Sequence, residues 1–126
     1  MSVAYVDSSA MVAVRFGEPG AAALARRLDS FVHLISANLL DAEFRAAQAR
    51  EGEPFDGTLV EGFGWILPDR PLGPELERVI DVGYLKGADL WHVAVALSVV
   101  EDPDEITFVT LDERQREVAA KLGFRT

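Results

Sequence analysis

Short apolar runs alternate with amphipathic stretches along the whole chain. Val3-Ala4-Tyr5-Val6, stopped by Asp7-Ser8-Ser9, has the length and boundary of a buried strand. The spacing then predicts helices over about Ser8 to Phe16 and Ala21 to Leu28, separated by the turn Gly17-Glu18-Pro19-Gly20. Val32-His33-Leu34-Ile35 is a second strand, and Ser36 or Asn38 is placed to cap a third helix running to about Arg50. Beyond the break at Gly52-Glu53-Pro54, a helix is expected over Phe55 to Phe63 and a short strand over Trp65-Ile66-Leu67. Gly73-Pro74 opens a helix to about Val82, with proline in its first turn. Gly87 to Val100 is an almost wholly apolar helix, followed by the acidic loop Glu101 to Glu105. Ile106 to Thr110 has the strongest strand pattern, Asp112 can cap a last helix over Glu113 to Leu122, and Phe124-Arg125-Thr126 has the makings of a short final strand.

Strands alternating with helices predict parallel pairing in a three-layer α/β/α sandwich with a sheet of four or five strands. In such sheets, sites form beyond the carboxyl ends of the strands, where strand order reverses. The residues that follow each strand therefore matter most.

Composition narrows the class. The chain has 126 residues, 49% hydrophobic and 26% charged, which fits a single globular domain over residues 1–126 and excludes disordered and collagen-like chains. The absence of cysteine excludes disulfides and thiolate metal sites, and two histidines cannot supply a structural zinc site by themselves. The most apolar run, Val93 to Val100, is interrupted by Ser98 and far short of the roughly 20 residues a membrane span needs. The start of the chain lacks the cationic region of a secretory signal, so a cytoplasmic location and no membrane partner are expected. Twelve basic against 21 acidic side chains give a net charge of −9. That disfavours a generic duplex-DNA binder, although metal ions can supply positive charge where an acidic protein meets nucleic acid.

Four acids stand at unusual places. Asp7 follows the first strand and Asp112 comes two residues after Thr110; either fits an N-cap as well as a ligand. Glu43 lies three or four residues from Leu39, Leu40, Ala46 and Ala47, within the inward stripe of its helix. Asp89 opens the apolar helix, where desolvating an ionised carboxylate costs several kcal/mol. The helix dipole returns only about 0.3–1 kcal/mol of that. His92, one turn later, fits a packed or supporting residue, and His33 a structural one. If the sandwich brings the four acids together, no neighbouring lysine or arginine in sequence is placed to neutralise them. Hard oxygen donors without sulfur suit Mg²⁺ or Mn²⁺.

These residues resemble the PIN domains, and within them the VapC-type toxins of toxin–antitoxin pairs. The likeness runs through Tyr5-Val6-Asp7-Ser8-Ser9-Ala10, Glu18-Pro19-Gly20, Leu39-Leu40-Asp41-Ala42-Glu43, Gly87-Ala88-Asp89-Leu90-Trp91-His92-Val93-Ala94 and Val109-Thr110-Leu111-Asp112-Glu113. The resemblance implies a ribonuclease dependent on Mg²⁺ or Mn²⁺, with Asp7, Glu43, Asp89 and Asp112 as its acidic site. Ser9 or Ser8 would be the hydroxyl beside the first aspartate, and Thr110 would support the last. It also implies an RNA substrate, a cognate antitoxin and a homodimer. The apolar helix segment Ala10 to Val14, with Phe55, Phe63 and Trp65, marks where a partner would dock. Two other readings stand beside it: a non-catalytic interaction module on the same fold, and a Mg²⁺-dependent aspartyl-phosphate phosphotransfer domain.

Overall fold

In the computed structural model, which describes residues 2–126, strand β1 (Val3–Val6) lies inside a four-stranded parallel sheet. Its neighbours are β2 (His33–Ala37) and β4 (Thr107–Val109), and β3 (Gly64–Ile66) pairs outside β2. The order is therefore β3-β2-β1-β4: the chain adds two strands on one side of β1 and then returns to the other. Helices cover both faces, the α/β sandwich predicted from the alternation of elements.

The period-two alternation of strand side chains assigns the two cores. Ala4 and Val6 face one layer with α1 (Ser8–Arg15), α2 (Ala21–Asp29) and α3 (Leu39–Arg50), which supply Ala10, Met11, Leu28, Leu40 and Phe44. Tyr5 and Phe108 face the other, with α4 (Gly73–Val82), α5 (Gly87–Ser98) and α6 (Glu113–Leu122), which supply Val79, Val93 to Leu97, Val118 and Leu122. Helix α5 is buried from His92 to Leu97, as its apolar sequence requires.

Several expectations fail locally. Residues 55–63 form no α-helix; only Thr58–Val60 turns as a 3₁₀ segment. Gly62 takes φ +83° in the left-handed region, and a side chain at Gly57 would crowd the Phe55 ring. The final strand reduces to one bridge between Thr107 and Arg125, so the sheet has four strands. Asn38 stands at the N-cap position of α3 but its side chain makes no capping bond, while the buried Ser36 hydroxyl donates to the Val6 carbonyl at 2.7 Å. His33 opens β2, as the strand pattern predicts, with its side chain exposed. The inner face of α1 and Phe63 are buried in the core, which removes them as a docking surface. No described helix is long and apolar enough to cross a membrane.

Candidate active site

Asp7 leaves β1 at the position where strand order reverses, and its backbone N–H bonds to the Val109 carbonyl at 2.9 Å, fastening it to β4. It caps α1 by accepting the Ser9 N–H at 3.0 Å on Oδ2. The cap and the candidate ligand are thus the same side chain, 3% exposed. Asp112, just beyond β4, caps α6 by accepting the Gln115 N–H at 2.8 Å on Oδ1. Asp89 sits in the first turn of α5 but caps nothing, and no described donor meets its carboxylate. Glu43 reaches in from α3.

Asp7, Glu43, Asp89 and Asp112 line one cleft of about 510 Å³, together with Ser8, Ser9, Glu18 and Arg50. Among the described residues, none of the four acids forms an ion pair with lysine or arginine. The consequence appears at Asp89. Burial raises its pKa, the carboxylates of Asp7, Asp112 and Glu43 raise it further, and only His92 opposes them.

The hydroxyls form a tight support. Thr110 Oγ1 donates to Gln115 Oε1 at 2.6 Å and accepts the Asp112 N–H at 3.0 Å; it lies 3.4 Å from Asp7 Oδ2. Of the two serines, Ser9 is built into this network, 3.3 Å from Thr110 Oγ1 and accepting the Leu111 N–H at 3.0 Å. Ser8 borders the cleft outside the network.

His92 is fully buried and spans from the core to the cleft. Its Nδ1 lies 2.6 Å from the Tyr5 hydroxyl and its Nε2 lies 2.6 Å from Glu43 Oε1. Asp7 Oδ1 is 3.8 Å from the same Nε2.

Sequence reasoning missed Gln115, fully buried, whose amide nitrogen donates to Asp7 Oδ1 at 3.4 Å and to the Asp89 carbonyl at 3.2 Å. Its signal was present: Gln115, Val118, Ala119 and Leu122 form the inward stripe of α6, and a glutamine there needs polar partners. Tyr5 was hidden because a strand tyrosine passes for an apolar residue. Arg50, the one basic side chain lining the cleft among the described residues, was also missed.

The donors suit a hard divalent cation, being all carboxylate oxygens around Asp89 with its raised pKa. They are not drawn into a cage: among the described residues, no group of three acidic or histidine side chains is arranged as a metal site. Glu43 turns one oxygen to His92, and Asp112 turns one to the backbone of α6.

No curated protein and no solved structure matches the chain significantly. The profile of the PIN domain does match, over residues 4–121, which reaches from within β1 into α6 and includes all four acids of the cleft. The chain accordingly belongs to the PIN domain family, whose members are nuclease-type domains that generally depend on divalent metals.

Proposed function

We propose that the protein is a metal-dependent endoribonuclease, the toxin of a VapC-type toxin–antitoxin pair, acting in the cytoplasm as a single domain over residues 1–126. One observation carries this reading. Carboxylates from four separate segments line one cleft beside the reversal in strand order, and none meets a lysine or arginine among the described residues. A phosphodiester would be repelled from that cleft unless cations offset the charge.

Asp7, Glu43, Asp89 and Asp112 would hold Mg²⁺ or Mn²⁺, which supplies Lewis acidity toward water and the scissile phosphate. The chain's own residues prepare the site. The Ser9 N–H and the Gln115 amide hold Asp7 at the end of β1, and Thr110 fixes the orientation of Gln115. The Gln115 N–H holds Asp112 by one oxygen, leaving the other for the cleft. Asp89, met by no described donor, keeps both oxygens available. No side-chain nucleophile is assigned: the Ser9 hydroxyl is taken up by Thr110 and the Leu111 amide, while His92 bonds to Tyr5 and Glu43. Among the described residues no lysine lines the cleft, which weakens the phosphotransfer alternative.

The test is RNA cleavage in EDTA, then with Mg²⁺ or Mn²⁺ restored, by wild type and Asp89→Asn. Cleavage lost in chelator, regained with metal and absent in the variant supports the reading; cleavage that survives both treatments removes it. Calorimetry showing no divalent-ion binding would favour a non-catalytic module. PIN nucleases act on RNA or DNA, so a DNA substrate in parallel checks the choice of RNA, which rests on the VapC-like motifs. The antitoxin is tested by copurification with an adjacent-gene product and the homodimer by light scattering. Exposed Phe55 and Leu67 beside the half-buried Trp65 line a groove that such a partner would cover.

A further inference from the structure

We infer that Tyr5 and His92 form a buried positioning arm that fixes the direction of Glu43, holding one carboxylate oxygen and leaving the other to serve the cleft. The inference rests on the metal-dependent reading of the site above, and it concerns how the chain prepares Glu43.

The proton assignment follows from the partners. A carboxylate accepts, so His92 Nε2, 2.6 Å from Glu43 Oε1, must carry a proton. In a neutral imidazole Nδ1 is then an acceptor, and the Tyr5 hydroxyl at 2.6 Å supplies the proton it needs. The same hydroxyl accepts the Ala37 N–H at 3.1 Å, so its own proton is free to point at the histidine. Burial raises the pKa of the Tyr5 phenol, which keeps that proton in place. With His92 neutral, the chain Ala37 N–H, Tyr5, His92, Glu43 is satisfied throughout by the Tyr5 proton on Nδ1 and the Nε2 proton on Glu43.

The arm is also rigid. The Tyr5 ring stacks on Phe108 with centroids 5.2 Å apart and meets the His92 ring edge-on at 5.7 Å. Both rings are fully buried, whereas the Glu43 side chain is 29% exposed. Tyr5 satisfies only one ring nitrogen of His92; the other meets Glu43, whose side chain lines the cleft. A glutamate on a helix flank otherwise samples several rotamers, and ordering it upon ligand binding lowers affinity. His92 sets the rotamer beforehand.

The test begins on the metal-free protein. Imidazole ¹⁵N spectra should show His92 protonated at Nε2 and bare at Nδ1, with His92→Gln identifying its signals. Calorimetry with Mn²⁺ should then show affinity lowered by about 10-fold or more in His92→Leu, the usual weight of a lost ligand-orienting partner. His92→Gln, whose amide can donate from nearly the same place, should recover most of it. Tyr5→Phe should lower affinity by less. In RNA cleavage the half-saturating metal concentration should rise in His92→Leu with little change of kcat at saturating metal. An Nδ1–H tautomer, or a folded His92→Leu with wild-type Mn²⁺ affinity, overturns the arm; if His92→Leu does not fold, the spectra and Tyr5→Phe decide. Failure here is distinct from failure of the nuclease reading. Metal-dependent cleavage with unchanged affinity in His92→Leu removes only the arm. The expected tautomer and affinity losses in a protein that cleaves no nucleic acid remove only the nuclease.

Discussion

Gln115 reaches from α6 to Asp7 with its amide nitrogen 3.4 Å from Oδ1, and the same nitrogen lies 3.2 Å from the Asp89 carbonyl. One neutral side chain thus ties the carboxylate after β1 to the first turn of α5. Its oxygen accepts from Thr110, which completes the link to β4. The consequence is a prediction about stability. Gln115→Leu keeps the volume but leaves Asp7 Oδ1 without its donor in a buried setting, at a cost of about 1–3 kcal/mol. Gln115→Glu places another acid against Asp7 and should be worse at neutral pH, with part of the loss recovered as the pH falls. Urea unfolding of both variants at two pH values checks the ranking. Equal stability of Gln115→Glu and wild type at neutral pH would sink it.

The four acids should respond differently to neutralisation. Asp112 accepts a helix N-terminal N–H, so Asp112→Ala should lose about 1 kcal/mol of metal-free stability, the usual weight of an N-cap. Asp89 accepts nothing and faces three like charges, so Asp89→Asn should raise the melting temperature in chelator. The sign follows from its raised pKa. A carboxyl that holds its proton more tightly when folded favours the fold at low pH and loses that contribution as the pH rises through the folded value. The advantage of Asp89→Asn should therefore be full at neutral pH and vanish below the ordinary aspartate pKa of about 3.9. Melting curves across that range decide, and a variant less stable than wild type at neutral pH would show that Asp89 has a partner.

Saturating Mg²⁺ or Mn²⁺ should reverse that order. An ion that binds only the folded state stabilises it by mass action, about 2.7 kcal/mol at 100 times its dissociation constant. Wild type should gain most of this and Asp89→Asn little of it, so their melting temperatures should cross as metal is added. Parallel curves with no crossing would mean that Asp89 takes no part in binding.

The sequence made the outline of the site legible because two of its acids come within three residues of a strand end and two sit on apolar helix faces. Asp7 and Asp112 are placed by topology, while Asp89 is conspicuous because the helix around it is otherwise apolar. Local patterns could not reveal which partners each acid would find. Tyr5, Thr110 and Gln115 act through contacts spanning 87 to 108 residues of sequence, and no window of a helix or strand contains both ends. The helix expected over residues 55–63 failed for a local reason. Apolar spacing suggested it, but the left-handed Gly62 and the crowding at Gly57 decided the backbone. Conversely, position in sequence fits Asp7 and Asp112 to a cap or to a ligand, whereas the geometry lets each cap with one oxygen and still border the cleft.

Among the described residues Arg50 supplies the one positive side chain at the acidic cleft, two helical turns beyond Glu43 on the same face of α3. Its ion pair with Glu51 is long, 3.8 Å, and its side chain is 77% exposed, so the guanidinium is not committed to that partner. An RNA strand held with its scissile phosphate among the carboxylates would bring a neighbouring phosphate within its reach. Arg50→Ala should raise KM for RNA by about 5-fold, equivalent to about 1 kcal/mol, and leave kcat nearly unchanged. The salt dependence gives a second readout, since losing one phosphate contact to a single strand flattens the slope of log affinity against log salt by about 0.7. Arg50→Lys should retain the slope and part of the affinity. A fall in kcat with KM and salt slope unchanged would assign Arg50 to the architecture of the cleft and not to its substrate.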